Sequence, residues 1–264
     1  QNNPNLTILS KTEVLKLNFK ENKIVSLNIK HRDKLILIKP KIGTILSSGS
    51  IMTPYLLLKS GIGNAEELKN LNIPITLHSP KVGKNFQDHL GLDYLYKTYF
   101  STLNKDLGTW SGRVQSLSKY LYNRKGPLSL SLNQGGGYIN WKSLDPYPNI
   151  QLYFNPLTYS VSFKNKRPLL QTDKFNGFII GFNSCRPKSL GELNLKVSGN
   201  DYLPSIDPKY LSDERDIHDL YSTFDFIRKF SSNENIKKII KSPVNIDPIK
   251  ASDNDLLDHF KSSA

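Results

Sequence analysis

The sequence predicts a mixed α/β protein (an α+β arrangement of helices and strands), and three features carry that prediction. Residues 6–47 hold short strand-like segments separated by polar turns. Residues 53–74 carry helix start and stop signals, and residues 91–200 return to aromatic-rich alternating segments typical of an antiparallel sheet. A chain of 264 residues with 38% hydrophobic content can fill one large domain or two smaller ones around a substantial core.

The first third of the chain alternates strands with capped helices. "LTILS", "EVLKLNF", "IVSLNIK" and "KLILIK" read as strands, and the nearly continuous apolar run "KIGTILSS" as a strand buried on both faces. Thr53 is a good N-cap, and Pro54 fits the first position of a helix. Gly61 can take the left-handed position after that helix, and Asn64 with Glu67 forms a capping-box pattern that starts a second helix.

The rest of the chain predicts a helix at 110–123, further strands, and two C-terminal helices. The strongest helical pattern begins at Ser212 and places five apolar residues on one face: Ile217, Leu220, Tyr221, Phe224 and Ile227. A shorter helix is predicted in "DNDLLDHFKSS". No internal repeat or low-complexity linker interrupts the sequence.

Composition excludes several classes of protein. The single Cys185 excludes an internal disulfide framework and a cysteine-based metal cluster. No apolar run approaches 18 residues, which predicts no transmembrane segment, and the first residues lack the pattern of a signal peptide. The net charge of +13 invites a nucleic-acid partner, but the lysines are dispersed, so none is expected. A cytoplasmic location is expected, with peripheral membrane association as the alternative.

The residues alone predict no catalytic or metal-binding set. None of the five histidines has the helical spacing of a zinc pair, and no G-x-S-x-G elbow is present. "SGIG" lacks the third glycine of a dinucleotide fingerprint, so a helix–turn–helix joint is favoured there. "NQGGGYI" is equally compatible with close approach of a ligand and with a strand bulge.

Three ordered motifs nevertheless resemble a known family. Residues 49–63, "GSIMTPYLLLKSGIG", resemble the second signature of the glucose–methanol–choline (GMC) flavin oxidoreductases. "VGKNFQDH" at 82–89 resembles the V-G-x-N-x-Q-D-H motif of that family, and "CRPKSLGELNL" resembles the opening of its C-terminal region. "GPLSLSLNQGGGYI" and "PNIQLYFNP" are similar to the substrate domain of choline-dehydrogenase-like members.

The resemblance implies FAD as the cofactor and assigns residues to it. The turn at Ser48, Gly49 and Ser50 is expected to approach the cofactor with little side-chain bulk. Asn85 matches the motif asparagine whose backbone lies near the flavin, and Val14 matches a position whose backbone approaches the adenine. Asp88 and His89 are expected to fix that loop.

The resemblance also implies a division of the chain. Residues 1–90 correspond to part of a Rossmann-like FAD-binding domain without its G-x-G-x-x-G unit, and residues 91–230 to a substrate-binding domain with an antiparallel sheet flanked by helices. Residues 231–264 correspond to a helical segment that leads to the region of the catalytic histidine. That histidine is expected beyond Ala264, His259 is not a substitute for it, and the chain is expected to be an internal piece that is inactive alone.

In the complete enzyme the resemblance implies oxidation of an alcohol (EC 1.1.-.-) by hydride transfer to flavin N5. Asn133, Gln134, Phe154 and Tyr159 are expected to line the substrate pocket, although sheet core is an equal alternative for the two aromatic residues. Choline-acting relatives tend to carry a glutamate where this chain has Gln134, so a neutral alcohol is expected rather than choline. A lyase with a structural flavin and a non-catalytic basic binding protein stay open, and oligomeric state, electron acceptor and oxidase or dehydrogenase type are not predicted.

Overall fold

The computed structural model of the chain describes residues 3–162 and 169–263. Its contacts divide the chain into two compact units, the first formed by 1–87 with 189–210 and the second by 88–188 with 211–264. Residues 189–210, which the sequence places in the expected domain 91–230, therefore fold with the first unit. Residues 231–264 fold with the second unit. The functional roles expected of the three segments remain predictions.

The strands, in chain order, are β1 Thr12–Lys20, β2 Lys23–His31, β3 Lys34–Ile38, β4 Ile62–Gly63, β5 Leu77–His78, β6 Lys84–Phe86, β7 Gly91–Thr98, β8 Gly135–Ile139, β9 Ile150–Asn155, β10 Tyr159–Ser162, β11 Leu169–Thr172, β12 Gly177–Ser184, β13 Gly191–Ser198, β14 Asp201–Asp207 and β15 Ile240–Pro243. The helices are α1 Gly49–Lys59, α2 Ala65–Asn70, α3 Leu103–Gly108, α4 Trp110–Asn123, α5 Glu214–Ser231, α6 Glu234–Lys237 and α7 Asp253–Ser263, with a short 3-10 turn at Pro127–Ser129.

The first unit combines two small antiparallel sheets with α1 and α2. One sheet has the order β1-β2-β3, the other has the order β14-β13-β6, and β4 pairs with β5 in parallel. Tyr55 and Leu58 of α1 pack in one buried cluster with Leu68 of α2 and with Leu193 and Leu195 of β13. This packing brings a segment from beyond residue 190 onto the helices of the first 90 residues.

The second unit is built on a five-stranded antiparallel sheet of order β15-β7-β12-β9-β8. Side chains alternate between the faces of a strand, and β7 shows this as a strict alternation of buried and half-buried residues. One face carries Tyr94, Phe178 and Phe182, which lie in a core cluster with Phe224 of α5 and Phe260 of α7. That face is therefore covered by α5 and α7. We use the name helix-free face for the opposite one only because these two helices do not cover it, although Ile179 on it is also buried.

Several sequence predictions are confirmed. The helix expected at 110–123 is α4, the antiparallel sheet flanked by helices is present, and the amphipathic C-terminal helix runs from Glu214. The Asn64 side chain accepts from the backbone nitrogens of Glu66 and Glu67 at the start of α2, and Gly61 has a φ of +88°. These features depend on residues close in the sequence.

Three local predictions are wrong. "LTILS" and "KIGTILSS" form no strand, and Ile42 and Ile45 are fully exposed rather than buried. A strand needs a neighbour for its backbone groups, and within the described residues none lies beside these segments. The first helix begins at Gly49 with Ser48 as N-cap, so Pro54 lies inside it instead of at its first position.

Candidate functional site

The turn at Ser48, Gly49 and Ser50 forms the exposed start of α1. Ser48 is the N-cap, but its side chain makes no capping hydrogen bond, and the first turn contains no acidic residue. The first backbone N–H groups of a helix have no partner within the helix, and its dipole places partial positive charge there. Gly49 has a φ of +83° with open space where a side chain would lie. The start of α1 can therefore receive an anionic or hydrogen-bond-accepting group.

Apolar side chains surround this turn in the sequence and stay exposed. Ile51 and Met52 in the first turn of α1 are 36% and 41% exposed, and the preceding Ile45 is 92% exposed. Large apolar groups grouped this closely on an exposed segment are typical of a surface that another group covers. The segment thus combines free backbone donors with apolar surface.

Asn85 occupies a position that demands a special backbone. On β6, Lys84 and Phe86 oppose Glu192 and Gly191 of β13, which leaves Asn85 as the extra residue of a bulge. It has a φ of +60° and its side chain is exposed. Asparagine tolerates this left-handed conformation better than most residues with a side chain, which gives a structural reason for the asparagine in the motif.

The glycine of the same motif is fixed by close packing. Gly83 has a φ of +82°, and a Cβ there would run into the carbonyl oxygen of Leu193. The Leu193 nitrogen donates to the Gly83 carbonyl at 2.6 Å. The V-G-x-N motif therefore holds β6 against β13, and this presents the Asn85 side chain to solvent.

Val14 lies in β1 and is 38% exposed. Three residues further along the same strand, the Leu17 nitrogen donates to the Ser60 hydroxyl at 3.0 Å, which attaches β1 to the C-terminal end of α1. In the described part of the chain no hydrogen bond joins Val14 to Ser48, Gly49, Ser50 or Asn85. The expected cofactor-binding role of these five residues remains a prediction.

Three of the expected pocket residues lie on or just before the paired strands β8 and β9 of the second unit. Phe154 packs against the core cluster on the helix-covered face, with its ring 5.7 Å from that of Phe178. Gln134 is exposed, and its backbone nitrogen donates to the Phe154 carbonyl at 3.0 Å, which continues the pairing of β8 with β9. Asn133 is exposed beside it.

Tyr159 at the start of β10 is half-buried. Burial raises its pKa, and the nearby negative charge of Asp93 adds to the rise. Tyr159 therefore shares the surroundings of a carboxyl group on the helix-free face. The substrate-binding role expected of these four residues remains a prediction.

Sequence reasoning missed a polar pair on that face. The Tyr153 hydroxyl donates to Asp93 Oδ1 at 2.6 Å, and both residues line a cleft of about 370 Å³ together with Gly91, Asn245 and His259. The signal available in the sequence is the alternation of "LGLDYLYKT", in which Asp93 falls opposite to its buried neighbours. The pairing of Asp93 with Tyr153 depends on the order of three strands and has no local signal.

Asn245 lies at the edge of this cleft, and its side chain bonds the backbone of β7 as a neighbouring strand would. The Asn245 side chain accepts from the Leu95 nitrogen at 3.1 Å and donates to the Asp93 carbonyl at 2.7 Å. Its nitrogen also lies 3.1 Å from His259 Nε2. Since an amide nitrogen only donates, Nε2 accepts and the His259 proton lies on Nδ1, which is 3.3 Å from the Ser263 hydroxyl. Burial lowers the pKa of His259, which favours this neutral form.

The described residues offer neither a cluster of metal ligands nor a membrane-spanning helix. Across residues 3–162 and 169–263, no group of three or more His, Cys, Asp or Glu side chains is placed to hold a metal ion. None of the helices in the same residues is long and apolar enough to cross a membrane.

Comparison with known proteins yields one family and a consistent set of relatives. Residues 1–91 match the family described as GMC oxidoreductase. The chain is 29% identical over 264 residues to "Alcohol dehydrogenase [acceptor]" of Pseudomonas putida, which covers 99% of this chain and 47% of that protein. It is 32% identical over 191 residues to mitochondrial choline dehydrogenase of Homo sapiens, which covers 72% of this chain and 31% of that protein.

Solved structures agree on the fold. A formate oxidase superposes with a TM-score of 0.83 at 20% identity, covering 99% of this chain and 50% of that one. A fungal aryl-alcohol oxidase superposes with a TM-score of 0.70 at 17% identity, covering 94% of this chain and 48% of that one. The chain thus spans about half the length, or less, of the relatives it matches.

Proposed function

This chain belongs to the GMC oxidoreductase family, and we propose from that membership that it forms part of an FAD-dependent enzyme that oxidises an alcohol. The observation that carries the proposal is the family match over residues 1–91, a segment that contains the exposed and uncapped start of α1. The relatives named as alcohol and choline dehydrogenases support the substrate class.

The residues present fit the cofactor. FAD carries a pyrophosphate and a large apolar ring system with a polar edge. The start of α1 offers free N–H groups and the positive end of a helix dipole, with no acidic side chain to repel an anion. Ile51 and Met52 beside it offer apolar surface, and the bulge at Asn85 offers an exposed amide. Ser48, Gly49, Ser50 and Asn85 would hold the cofactor in this proposal.

When bound, FAD supplies the hydride acceptor, a chemistry that no amino-acid side chain provides. The contribution of this chain is to bind the cofactor, to orient the alcohol and to exclude water. Gln134 and Tyr159 would contact the substrate and form what we call the substrate wall, and Asn133 would shape the loop. Phe154 would support the wall from the helix-covered face.

The substrate is proposed to be a neutral alcohol. A quaternary ammonium group is held best by a negative charge combined with aromatic faces, and Gln134 offers no charge at its position. A cytoplasmic location and the lack of a nucleic-acid partner belong to the same proposal. Fractionation of cells that express the tagged full-length protein tests the location.

Anaerobic reduction of the flavin tests the function. Full-length protein loaded with FAD is mixed with benzyl alcohol or 1-butanol, and the flavin absorbance is followed. We expect the absorbance to bleach, with a higher kcat/KM for these alcohols than for choline. Flavin that stays oxidised with every alcohol contradicts the proposal and favours a lyase with a structural flavin. Bleaching with a preference for choline contradicts only the neutral substrate.

A further inference from the structure

The helix-free face of the five-stranded sheet carries a polar pair that spans three strands. Tyr153 of β9 and Asp93 of β7 are both in register with Gly181 of β12, which lies between them. The Tyr153 hydroxyl reaches over the central strand and donates to Asp93 Oδ1 at 2.6 Å. Residues in register point to the same face, so the pair lies on the sheet surface opposite to α5 and α7.

Gly181 makes this arrangement possible. A Cβ at this position would overlap the ring of Tyr153, and the carbon atoms Cζ and Cε2 of that ring lie closest. The phenol ring therefore occupies the space above the backbone of Gly181 in the central strand. Only glycine leaves room for it, which fixes the direction in which the hydroxyl points.

The surroundings of Asp93 hold the phenol proton in place. Burial raises the pKa of Asp93, and the hydrogen bond from Tyr153 opposes this rise, while no cationic group contributes. Burial and the Asp93 carboxyl together raise the pKa of Tyr153. The proton thus stays on the phenol and is directed at the carboxyl group. The lone pairs of the Tyr153 oxygen remain available to another donor.

The cleft beside the pair has few other free polar groups. Asn245 uses its side chain on the β7 backbone and on His259, and the His259 proton is directed at Ser263. The eight lining residues include no lysine or arginine. The volume of about 370 Å³ lies within the range of small-molecule sites. At the pair a ligand therefore meets two acceptors, the Tyr153 oxygen and the remaining carboxylate oxygen of Asp93, whereas the Ser263 hydroxyl on α7 can donate.

The pair adjoins the substrate wall proposed above. The charge of Asp93 acts on Tyr159, one of the expected pocket residues. The inference about Tyr153 accordingly rests on the proposed function, because it assigns the selectivity of that same site.

We propose that the Asp93–Tyr153 pair determines specificity in the substrate wall. Because Asp93 accepts the phenol proton, Tyr153 meets a ligand only as a hydrogen-bond acceptor. The Tyr153 position therefore favours small molecules that carry a hydroxyl donor over ligands of the same shape that can only accept. Tyr153 contacts the substrate, and Asp93 positions its phenol proton.

The experiment compares benzyl alcohol with benzyl methyl ether in the full-length protein loaded with FAD. Tyr153→Phe keeps the ring and removes the oxygen, and Tyr122→Phe, at a side chain that is 93% exposed, is the matched control. Loss of one hydrogen bond corresponds to about a 2- to 12-fold weaker affinity. We expect Tyr153→Phe to raise the KM for benzyl alcohol by such a factor with kcat within about twofold, and Tyr122→Phe to change neither.

Asp93→Ala separates positioning from simple support. Asparagine would still offer a carbonyl oxygen to the phenol, whereas alanine removes the acceptor, so the phenol proton can turn into the cleft. We therefore expect benzyl methyl ether to inhibit more strongly relative to benzyl alcohol than it does in the wild type. A merely structural role of Asp93 would weaken both ligands together, and that outcome would overturn its assignment. An unchanged KM in an active Tyr153→Phe variant would overturn the assignment of Tyr153.

Calorimetric binding of the two probes distinguishes this inference from the proposed function, since it needs no turnover. A wild-type protein that binds benzyl alcohol more tightly than the ether but does not oxidise it contradicts the proposed function and supports the cleft. Equal binding of both probes in wild type and Tyr153→Phe contradicts the inference, whether or not the protein is an active oxidoreductase.

Discussion

Replacing Asn85 by glycine separates the structural from the cofactor-binding role of the V-G-x-N motif. The residue is the extra residue of the β6 bulge, with a φ of +60° and an exposed side chain. Glycine adopts this backbone without strain, so Asn85→Gly removes the amide and keeps the bulge. Asn85→Ala also removes the amide, but it strains the bulge, because the left-handed region costs about 1–2 kcal/mol for a residue with a Cβ.

Asn72 provides the matched control in the same unit. It also has a left-handed backbone, with a φ of +57°, it is exposed, and it follows α2 without belonging to the proposed site. The free energy of unfolding of the apoprotein is expected to change by less than about 0.5 kcal/mol in Asn85→Gly and in Asn72→Gly. It is expected to fall by about 1 kcal/mol in Asn85→Ala and in Asn72→Ala.

The affinity for FAD decides between the two roles. If the Asn85 amide bonds the cofactor, its loss weakens binding by about 1 kcal/mol, which is roughly a fivefold increase in Kd. Titration of full-length apoprotein with FAD, followed by flavin fluorescence, measures this change. The same Kd in Asn85→Gly, Asn72→Gly and wild type would refute a contact between the side chain and the cofactor. The motif asparagine would then serve only the bulge.

Two further predictions concern stability. The hydrogen bonds of Lys84 and Lys209, at 2.7 and 3.1 Å, lower the pKa of Glu192 from 4.5 to about 2, so their stabilisation is complete above about pH 4.5 and is lost as the pH falls toward 2. Glu192→Gln should lower the free energy of unfolding by about 1–2 kcal/mol at pH 7 and make stability less dependent on pH between 4.5 and 2. A plot of Tm against pH that stays parallel to that of the wild type would contradict the role of the ion pairs of Glu192 with Lys84 and Lys209. The Asn104 side chain, in a residue that is 4% exposed, bonds two backbone carbonyls and two backbone amides of neighbouring segments. Asn104→Ala should therefore cost about 2–4 kcal/mol in urea unfolding, whereas the exposed Asn123→Ala should be nearly neutral.

Much of the local structure could be predicted from the sequence, because its causes are local. The α4 helix, the Asn64 cap and the left-handed Gly61 depend on residues within one or two turns of the chain. The family motifs are equally local, since a bulge such as that at Asn85 requires particular residue types in a fixed order. The sequence by itself thus determined the family, the capped helices and the antiparallel character of the second unit.

Other features depended on partners that are distant in the sequence. β13 joins the first unit because Leu193 and Leu195 complete a cluster with Tyr55 and Leu58, although more than 130 residues separate them. "KIGTILSS" is apolar enough for a buried strand, but within the described residues no strand lies beside it. Its apolar composition alone therefore gave a wrong prediction. Tyr153 meets Asp93 only through the strand order β7-β12-β9 and the space above Gly181. Sheet order and register are set by long-range packing, which is why only the tertiary structure decided where the candidate substrate wall lies.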